Sequence, residues 1–297
     1  MKELANDIVA WLKDYAVKND RKAFVLGVSG GVDSALVSTL CAMTGLPTYC
    51  AVLPCQSKEE HANTAGKHID WLQDKFPNVV YKKLDLTDTF EAFYDETKYD
   101  HADDLAYANT KSRLRMIALY QIATPIGGIV VGTGNKVEDF GIGFFTKYGD
   151  GGVDLSPIAD LLKSEVRQMC RDLGVLPELS EAVPTDGLWA DARTDEGAIG
   201  ASYDELEWVM TFLERNNGWP CPVPTNSNTP LLTARQQEVL NIYMKRHMAS
   251  RHKLDPSRRS RGAYEKQECN NWDAAVLLLH YRASHRYHNP RSVQRWI

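Results

Sequence analysis

The chain has 297 residues, 43% of them apolar, enough to fill one large α/β core or two small ones. A formal charge of −5 excludes a general nucleic-acid binder, because affinity for backbone phosphates needs a basic face. Its six cysteines form no C-x-x-C pair and no stretch of about 18 apolar residues occurs, which argues against a disulfide framework, a structural zinc and a membrane span.

The opening residues, Met-Lys-Glu-Leu-Ala-Asn-Asp, lack the apolar core of a secretion signal, so a cytoplasmic protein is expected. Leu4, Ile8, Trp11, Leu12 and Tyr15 recur at helical spacing and predict an amphipathic helix over 3–18. Next, the apolar run Phe24, Val25, Leu26 and Val28 reads as a strand. It ends in a Ser29-Gly30-Gly31 turn, after which Asp33 and Ser34 open a helix over 35–43. Strand, tight turn and helix in that order make an anion site. The glycines allow positive φ and close backbone approach, while unpaired N–H groups and the helix dipole favour a phosphate. Asp33 would repel a bare phosphate, so a bridging divalent cation is implied. The loop is not of Walker type, since no G-x-x-x-x-G-K-[ST] occurs.

A second strand is expected over 48–53, ending at Pro54. Ser57-Lys58-Glu59-Glu60 has the form of a capping box and starts a helix to about residue 75. Residues 79–84 read as a strand and 87–97 as a short helix, while the acidic stretch 100–104 reads as a solvated helix start rather than a metal site. A long helix over 105–122 carries Asn109, Lys111, Arg113 and Arg115, and a fourth strand spans 129–133. This alternation predicts an α/β protein with a doubly wound parallel sheet and helices on both faces. In such sheets ligands sit off the carboxyl ends of the strands where the order reverses, an edge that would gather the Ser29 loop, residues 54–56 and residues 133–135.

Gly132-Thr-Gly134 begins a partial G-x-G-x-x-G, but its sixth position is Val137, which rules out a hydride-transfer fingerprint. Residues 141–154 hold five glycines and little periodicity, as a shaped functional loop would. Ser156-Pro157 is expected to start a helix lasting to Gly174, with Leu161, Leu162, Val166, Met169, Cys170 and Leu173 inward and Lys163 on its polar side. Residues 175–200 read as loop, 203–213 and 234–251 as helices, and 274–281 as an apolar helix in a basic, aromatic end. His280, His285 and His288 have no carboxylate at metal spacing and read as non-ligands. By residue type alone, Arg113 and Arg115 read as surface partners of acids, Glu138 and Asp139 as a helix start, and Lys163, His252 and Lys253 as solvated cations.

The string SGGVDS at 29–34 resembles the pyrophosphate loop of N-type ATP-pyrophosphatases, which cleave ATP between the α and β phosphates. Four further features narrow that resemblance: Ala108-Asn-Thr-Lys-Ser-Arg-Leu-Arg-Met116, Gly132-Thr-Gly-Asn-Lys-Val-Glu138, Phe144-Phe-Thr-Lys-Tyr-Gly-Asp-Gly-Gly-Val-Asp154, and the pairs Leu162-Lys163, Pro184-Thr185 and His252-Lys253. With them the chain is similar to the ammonia-dependent NAD synthetase family over roughly residues 1–255, leaving 256–297 as a basic and aromatic extension packed on the same domain.

The resemblance implies an adenine nucleotide alpha hydrolase-like fold and a two-step reaction. The carboxylate of deamido-NAD attacks the α-phosphorus of ATP to give an adenylate and pyrophosphate, and ammonia then displaces AMP to leave NAD. It also implies the site. Gly27, Val28, Ser29, Gly30, Gly31, Val32, Asp33 and Ser34 would hold ATP phosphates, with Thr133, Lys163 and Thr185 as further ATP contacts. Asp33 and Glu138 would ligate Mg²⁺. Arg113, Lys147, Asp154, His252 and Lys253 would contact deamido-NAD, and Phe144 or Phe145 could stack on the pyridine ring. Asp150 would orient or deprotonate ammonium, with Lys163 as the second catalytic group. A homodimer is implied as well, with glutamine usable only through a separate glutaminase partner. Two rival readings are a nucleotide- or tRNA-modifying ATP-pyrophosphatase, opposed by the acidic charge and unpaired cysteines, and a nucleotide-binding regulator without catalysis.

Overall fold

The computed structural model describes residues 1–57, 59–98, 104–180, 195–215 and 232–254. Helix α1 (Lys2–Lys18) leads into β1 (Ala23–Gly27), α2 (Val32–Met43), β2 (Thr48–Val52), α3 (Glu59–Lys75) and β3 (Val79–Lys83). Then come α4 (Thr87–Thr97), α5 (Asp104–Ala123) and β4 (Gly128–Val130), followed by a π-helix (Lys136–Ile142). The described chain closes with α6 (Lys163–Leu173), α7 (Pro177–Ser180), α8 (Asp195–Ile199), α9 (Tyr203–Arg215) and α10 (Ala234–Leu254).

All strand pairs are parallel, in the order β3-β2-β1-β4, with Phe24 opposite Thr48 and Ala23 opposite Gly128. Because side chains alternate along a strand, β1 feeds two cores. Phe24 and Leu26 pack with Cys50, Val52 and Ile129 under α1, α2, α3 and α6, whereas Val25 packs with Ala51 and Val130 under α4 and α5. Strands buried on both faces read as near-continuous apolar runs, which is why they were visible in the sequence. The expected doubly wound parallel sheet is the sheet observed. A further core, outside the sheet, joins Val137 and Ile142 of the π-helix to Ile199, Tyr203, Leu206 and Val209 and to Val239, Leu240 and Tyr243 of α10. No described helix is long and apolar enough to cross a membrane.

The structure corrects four expectations. The helix expected from Ser156 begins only at Lys163; before it, Leu161 N–H turns back to Ile158 and Lys136 N–H bonds the Leu161 carbonyl, so this stretch braces the π-helix instead. Residues 175–200 are not all loop. Pro177 starts α7, whose Leu179 is buried, and α8 ends at the left-handed Gly200. Lys163 is not on a solvated face but 3% exposed. The Ser57 hydroxyl, expected to cap α3, accepts from Arg115 and from Cys55 N–H. The helix expected over 274–281, Thr185 and the extension 256–297 lie outside the described residues.

One buried group makes stability depend on pH. The Ser38 hydroxyl donates to the Ala35 carbonyl, so the 2.9 Å contact to His68 Nε2 is a bond from the imidazole N–H. His68 Nδ1 is left buried with no partner, and burial lowers the imidazole pKa to about 4. A depressed histidine pKa favours the neutral form in the fold. Its stabilising effect is therefore complete above about pH 6.5 and is lost as pH falls toward 4, a change of about 3 kcal/mol. Urea unfolding across that window should show this loss, and His68→Met should flatten it.

Candidate active site

The order reversal lies between β1 and β4, and the chain leaving each carboxyl end forms one wall of a cavity of about 970 Å³. After β1, Gly30 takes φ 87°, a value that favours glycine. Ser29 and Ser34 then lock the turn. Ser29 N–H donates to Ser34 Oγ (3.2 Å), Gly31 N–H to Ser29 Oγ (3.2 Å), and Ser34 Oγ to the Gly31 carbonyl (3.0 Å). With Gly31 at the N-cap no side chain caps α2, so the first-turn N–H groups and the helix dipole are left for an anion. After β4, Gly132 and Thr133 line the same cavity.

The centre of this wall is an ion cluster. Lys163, the first residue of α6, donates to Asp33 Oδ2 at 2.5 Å and to Glu138 Oε1 at 2.9 Å. Asn135 organises the pair: its carbonyl caps the π-helix by accepting from Val137 and Glu138 N–H, and its amide donates to Asp33 Oδ1 at 3.3 Å. Tyr203 adds a hydroxyl to Glu138 Oε1 at 2.5 Å, with Lys163 Nζ 4.9 Å from its ring centroid. Burial alone would raise the Glu138 carboxyl, but Lys163 and the Tyr203 hydroxyl hold it below the usual range. Burial also opposes charge on Lys163, yet the two carboxylates hold its pKa above the usual lysine value. For Asp33, burial wins over Lys163 and the carboxyl is raised.

Asp33, Glu138 and Lys163 all line the cavity. Two acidic side chains joined through one ammonium suit a small hard cation that takes one or two carboxylates. Among the described residues no group of three or more His, Cys, Asp or Glu could hold a metal alone, so phosphate oxygens and water would have to complete the shell.

The opposite wall is the loop 143–154, stitched to α5. Thr146 Oγ1 donates to Asn109 (2.6 Å), Ser112 Oγ donates to Asp150 Oδ1 (2.7 Å), and Tyr120 OH donates to Asp154 Oδ1 (3.0 Å). Asp150 Oδ1 also accepts from Thr146 N–H at 3.0 Å. Burial outweighs these donors and raises the Asp150 carboxyl. Asp139, next to Glu138 in the π-helix, does not line the cavity; burial, then the charges of Asp150, Glu138 and Asp33, push its carboxyl well up. A side chain at Gly134 would overlap that carboxylate, which explains the glycine.

Other expected residues fall in different places. Phe144, Phe145 and Lys253 line the cavity, with Lys253 Nζ donating to the Gly143 and Phe145 carbonyls at 2.9 and 2.8 Å. Arg113 is exposed on the outer side of α5, and Lys147 reaches the His252 carbonyl at 2.8 Å. Both Asp154 oxygens are engaged, one by Tyr120 and one by Val130 N–H at 2.9 Å. None of Arg113, Lys147, Asp154 or His252 lines the cavity. Ser112, Asn135, Tyr203, Arg115 and Arg246 were not singled out as site residues from the sequence. Arg115 and Arg246 line the cavity, Arg115 bonding the Leu53 carbonyl and Ser57 Oγ, and Arg246 the Ala198 carbonyl.

The family model described as NAD synthase matches residues 4–256. Among curated relatives, an NH₃-dependent NAD⁺ synthetase of Mesoplasma florum is 39% identical over 208 residues, spanning 70% of this chain and 83% of the relative. Among solved structures, an NMN synthetase from Francisella tularensis superposes with a TM-score of 0.73 at 30% identity, covering 87% of this chain and 97% of that one. An NH₃-dependent NAD synthetase from Campylobacter jejuni, solved with a nitrate ion, has a TM-score of 0.69 at 22% identity over 88% and 99% of the two chains, a likeness of fold.

Proposed function

The chain belongs to the NAD synthase family, and from that membership we propose that it amidates deamido-NAD to NAD with ammonia, using ATP, in the cavity off β1 and β4. The observation carrying this reading is that the phosphate loop, the Asp33–Lys163–Glu138 cluster and Asp150 all line one cavity. The 29–34 loop and first turn of α2 would cradle the phosphates, with Thr133 beside them. Lys163 would offset charge as the substrate carboxylate meets the α-phosphorus, a step governed mainly by position and charge. Thr185 is retained as an ATP contact by its family match. Asp33 and Glu138 would hold Mg²⁺, which when bound neutralises phosphate charge. Once the adenylate has formed, Asp150 would accept a proton from ammonium so that ammonia can displace AMP. Phe145 and Lys253 offer an aromatic face and a cation to the acceptor nucleotide.

The test is to incubate the protein with ATP, Mg²⁺, ammonium and deamido-NAD and follow NAD, AMP and pyrophosphate by mass. ATP binding without NAD formation would overturn the reading. Asp33→Asn should lower Mg²⁺-dependent turnover by about two orders of magnitude or more, and unchanged turnover would remove the metal assignment.

A second reading concerns the acceptor. The likeness to an NMN synthetase supports amidation at the mononucleotide level. Running nicotinate mononucleotide against deamido-NAD in the same assay separates the two by kcat/KM.

We propose too that the protein is a cytoplasmic homodimer. The apolar residues of α5 are spread around the helix, and Ile117, 57% exposed, shares its outer side with Arg113. A second copy covering that side would bring Arg113, Lys147 and Asp154 to a shared acceptor site. Light scattering should then return twice 33.4 kDa. We propose that residues 256–297 extend the same domain.

A further inference from the structure

We infer that Tyr203 is a positioning residue for the metal-holding carboxylate: its hydroxyl keeps Glu138 aimed into the cavity from a buried position that does not itself line the cavity. The inference rests on the proposed role of Asp33 and Glu138. Tyr203 is 2% exposed and does not line the cavity, so any effect it has on the reaction passes through another group. Its ring belongs to the core formed with Ile199, Leu206 and Val209, where phenylalanine would bury the same apolar surface. What the tyrosine adds is the oxygen, and that oxygen lies 2.5 Å from Glu138 Oε1.

The placement of that hydroxyl is tightly built. Tyr203 is the first residue of α9, whose start is fixed by a reciprocal cap: Ser202 N–H donates to Glu205 Oε2 (2.9 Å) and Glu205 N–H to Ser202 Oγ (3.2 Å). Tyr203 N–H also donates to Glu196 of α8 at 3.0 Å. One turn further on, Glu207 takes both the N–H and the hydroxyl of Ser164, at 2.8 and 2.6 Å, beside Lys163. Helix α9 therefore addresses the ion cluster twice, once at the carboxylate and once at the start of the helix that carries the lysine.

The chemistry gives the hydroxyl a specific task. Lys163 Nζ and Tyr203 OH share Glu138 Oε1, and the lysine is also tied to Asp33. If Lys163 turns toward a phosphate, the phenol still holds Glu138 in one orientation. Partners that fix a ligating carboxylate in this way commonly change metal affinity or activity by about 10–100-fold when removed.

Tyr203→Phe isolates the oxygen, because it keeps the ring and its contact with Lys163. Titration of the full-length protein with Mn²⁺ by electron paramagnetic resonance, with the non-cleavable α,β-methylene analogue of ATP present, should show about tenfold weaker binding. In turnover, the Mg²⁺ concentration for half-maximal rate should rise by a similar factor, with kcat recovering at saturating Mg²⁺ and the KM for ammonium unchanged. Tyr243→Phe removes a hydroxyl from the same core on α10 and should leave the Mn²⁺ affinity as it is. Equal Mn²⁺ affinity and equal Mg²⁺ requirement in Tyr203→Phe and wild type would overturn the inference. Wild type without any Mn²⁺ binding would instead remove the metal-holding role of Asp33 and Glu138, and the inference with it.

Discussion

Replacing Lys163 with methionine is expected to cost about 3–5 kcal/mol of stability and at least about a thousandfold in kcat/KM. The lysine is 3% exposed and bonded to two carboxylates, so an apolar side chain of similar length fills the space but leaves both acids facing each other without a cation. Breaking a buried ion pair by deleting one partner is costly for this reason, even where the intact pair adds little net stability. The sign with pH follows. In the variant, mutual repulsion raises the carboxylate pKa values, so the penalty is present at neutral pH and shrinks as the pH falls and one acid takes up a proton. Urea unfolding at several pH values checks the stability claim, and NAD formation checks the catalytic one. A variant as stable as wild type at neutral pH would mean the two acids do not depend on the lysine.

Asp150→Asn should separate the two halves of the proposed reaction. Asparagine keeps an oxygen for the Ser112 hydroxyl and Thr146 N–H, so the loop should hold its shape. It cannot accept the ammonium proton. One equivalent of pyrophosphate should therefore appear rapidly, while NAD formation falls by about 10²–10⁴. Raising the pH, which supplies ammonia already deprotonated, should recover part of the loss. In wild type the carboxyl is raised by burial, so the amidation step should fade as pH drops through a value above the ordinary aspartate range. An equal drop in pyrophosphate release and NAD formation would place Asp150 in the first step and overturn this assignment.

How far the sequence could be read depended on the range of the interactions involved. β1 and α2 were legible because a buried parallel strand and a glycine turn leave local marks in residue type, and Asp33 drew attention as an acid beside a phosphate loop. The late start of α6 was not legible. Ser156-Pro157 carries the usual marks of a helix start, and only the bonds from Lys136 and Leu161 show that this stretch braces another segment. Lys163 read as a solvated residue since its partners lie 130 and 25 positions away, beyond any periodicity. Position 203 read only as the start of a helix over 203–213; nothing local records that the Tyr203 hydroxyl reaches Glu138, 65 positions away. Asp150 and Glu138 were named as candidates through motif resemblance, and the structure supplies their hydrogen-bond partners.

The strand order has a consequence for how the protein is made. β1 leaves the ribosome well before its second neighbour, β4, which begins at Gly128, and Ala23 pairs across that interval. Until then the phosphate loop hangs from a strand with one open edge, and the lysine that quiets Asp33 arrives only at position 163. Closing so long a loop is entropically slow, and the contacts that reward it come last. The residues of the ion cluster, at 33, 138, 163 and 203, thus meet only after position 203 has been synthesised, and a nascent chain truncated before α6 would display an unneutralised acid at the glycine turn after β1.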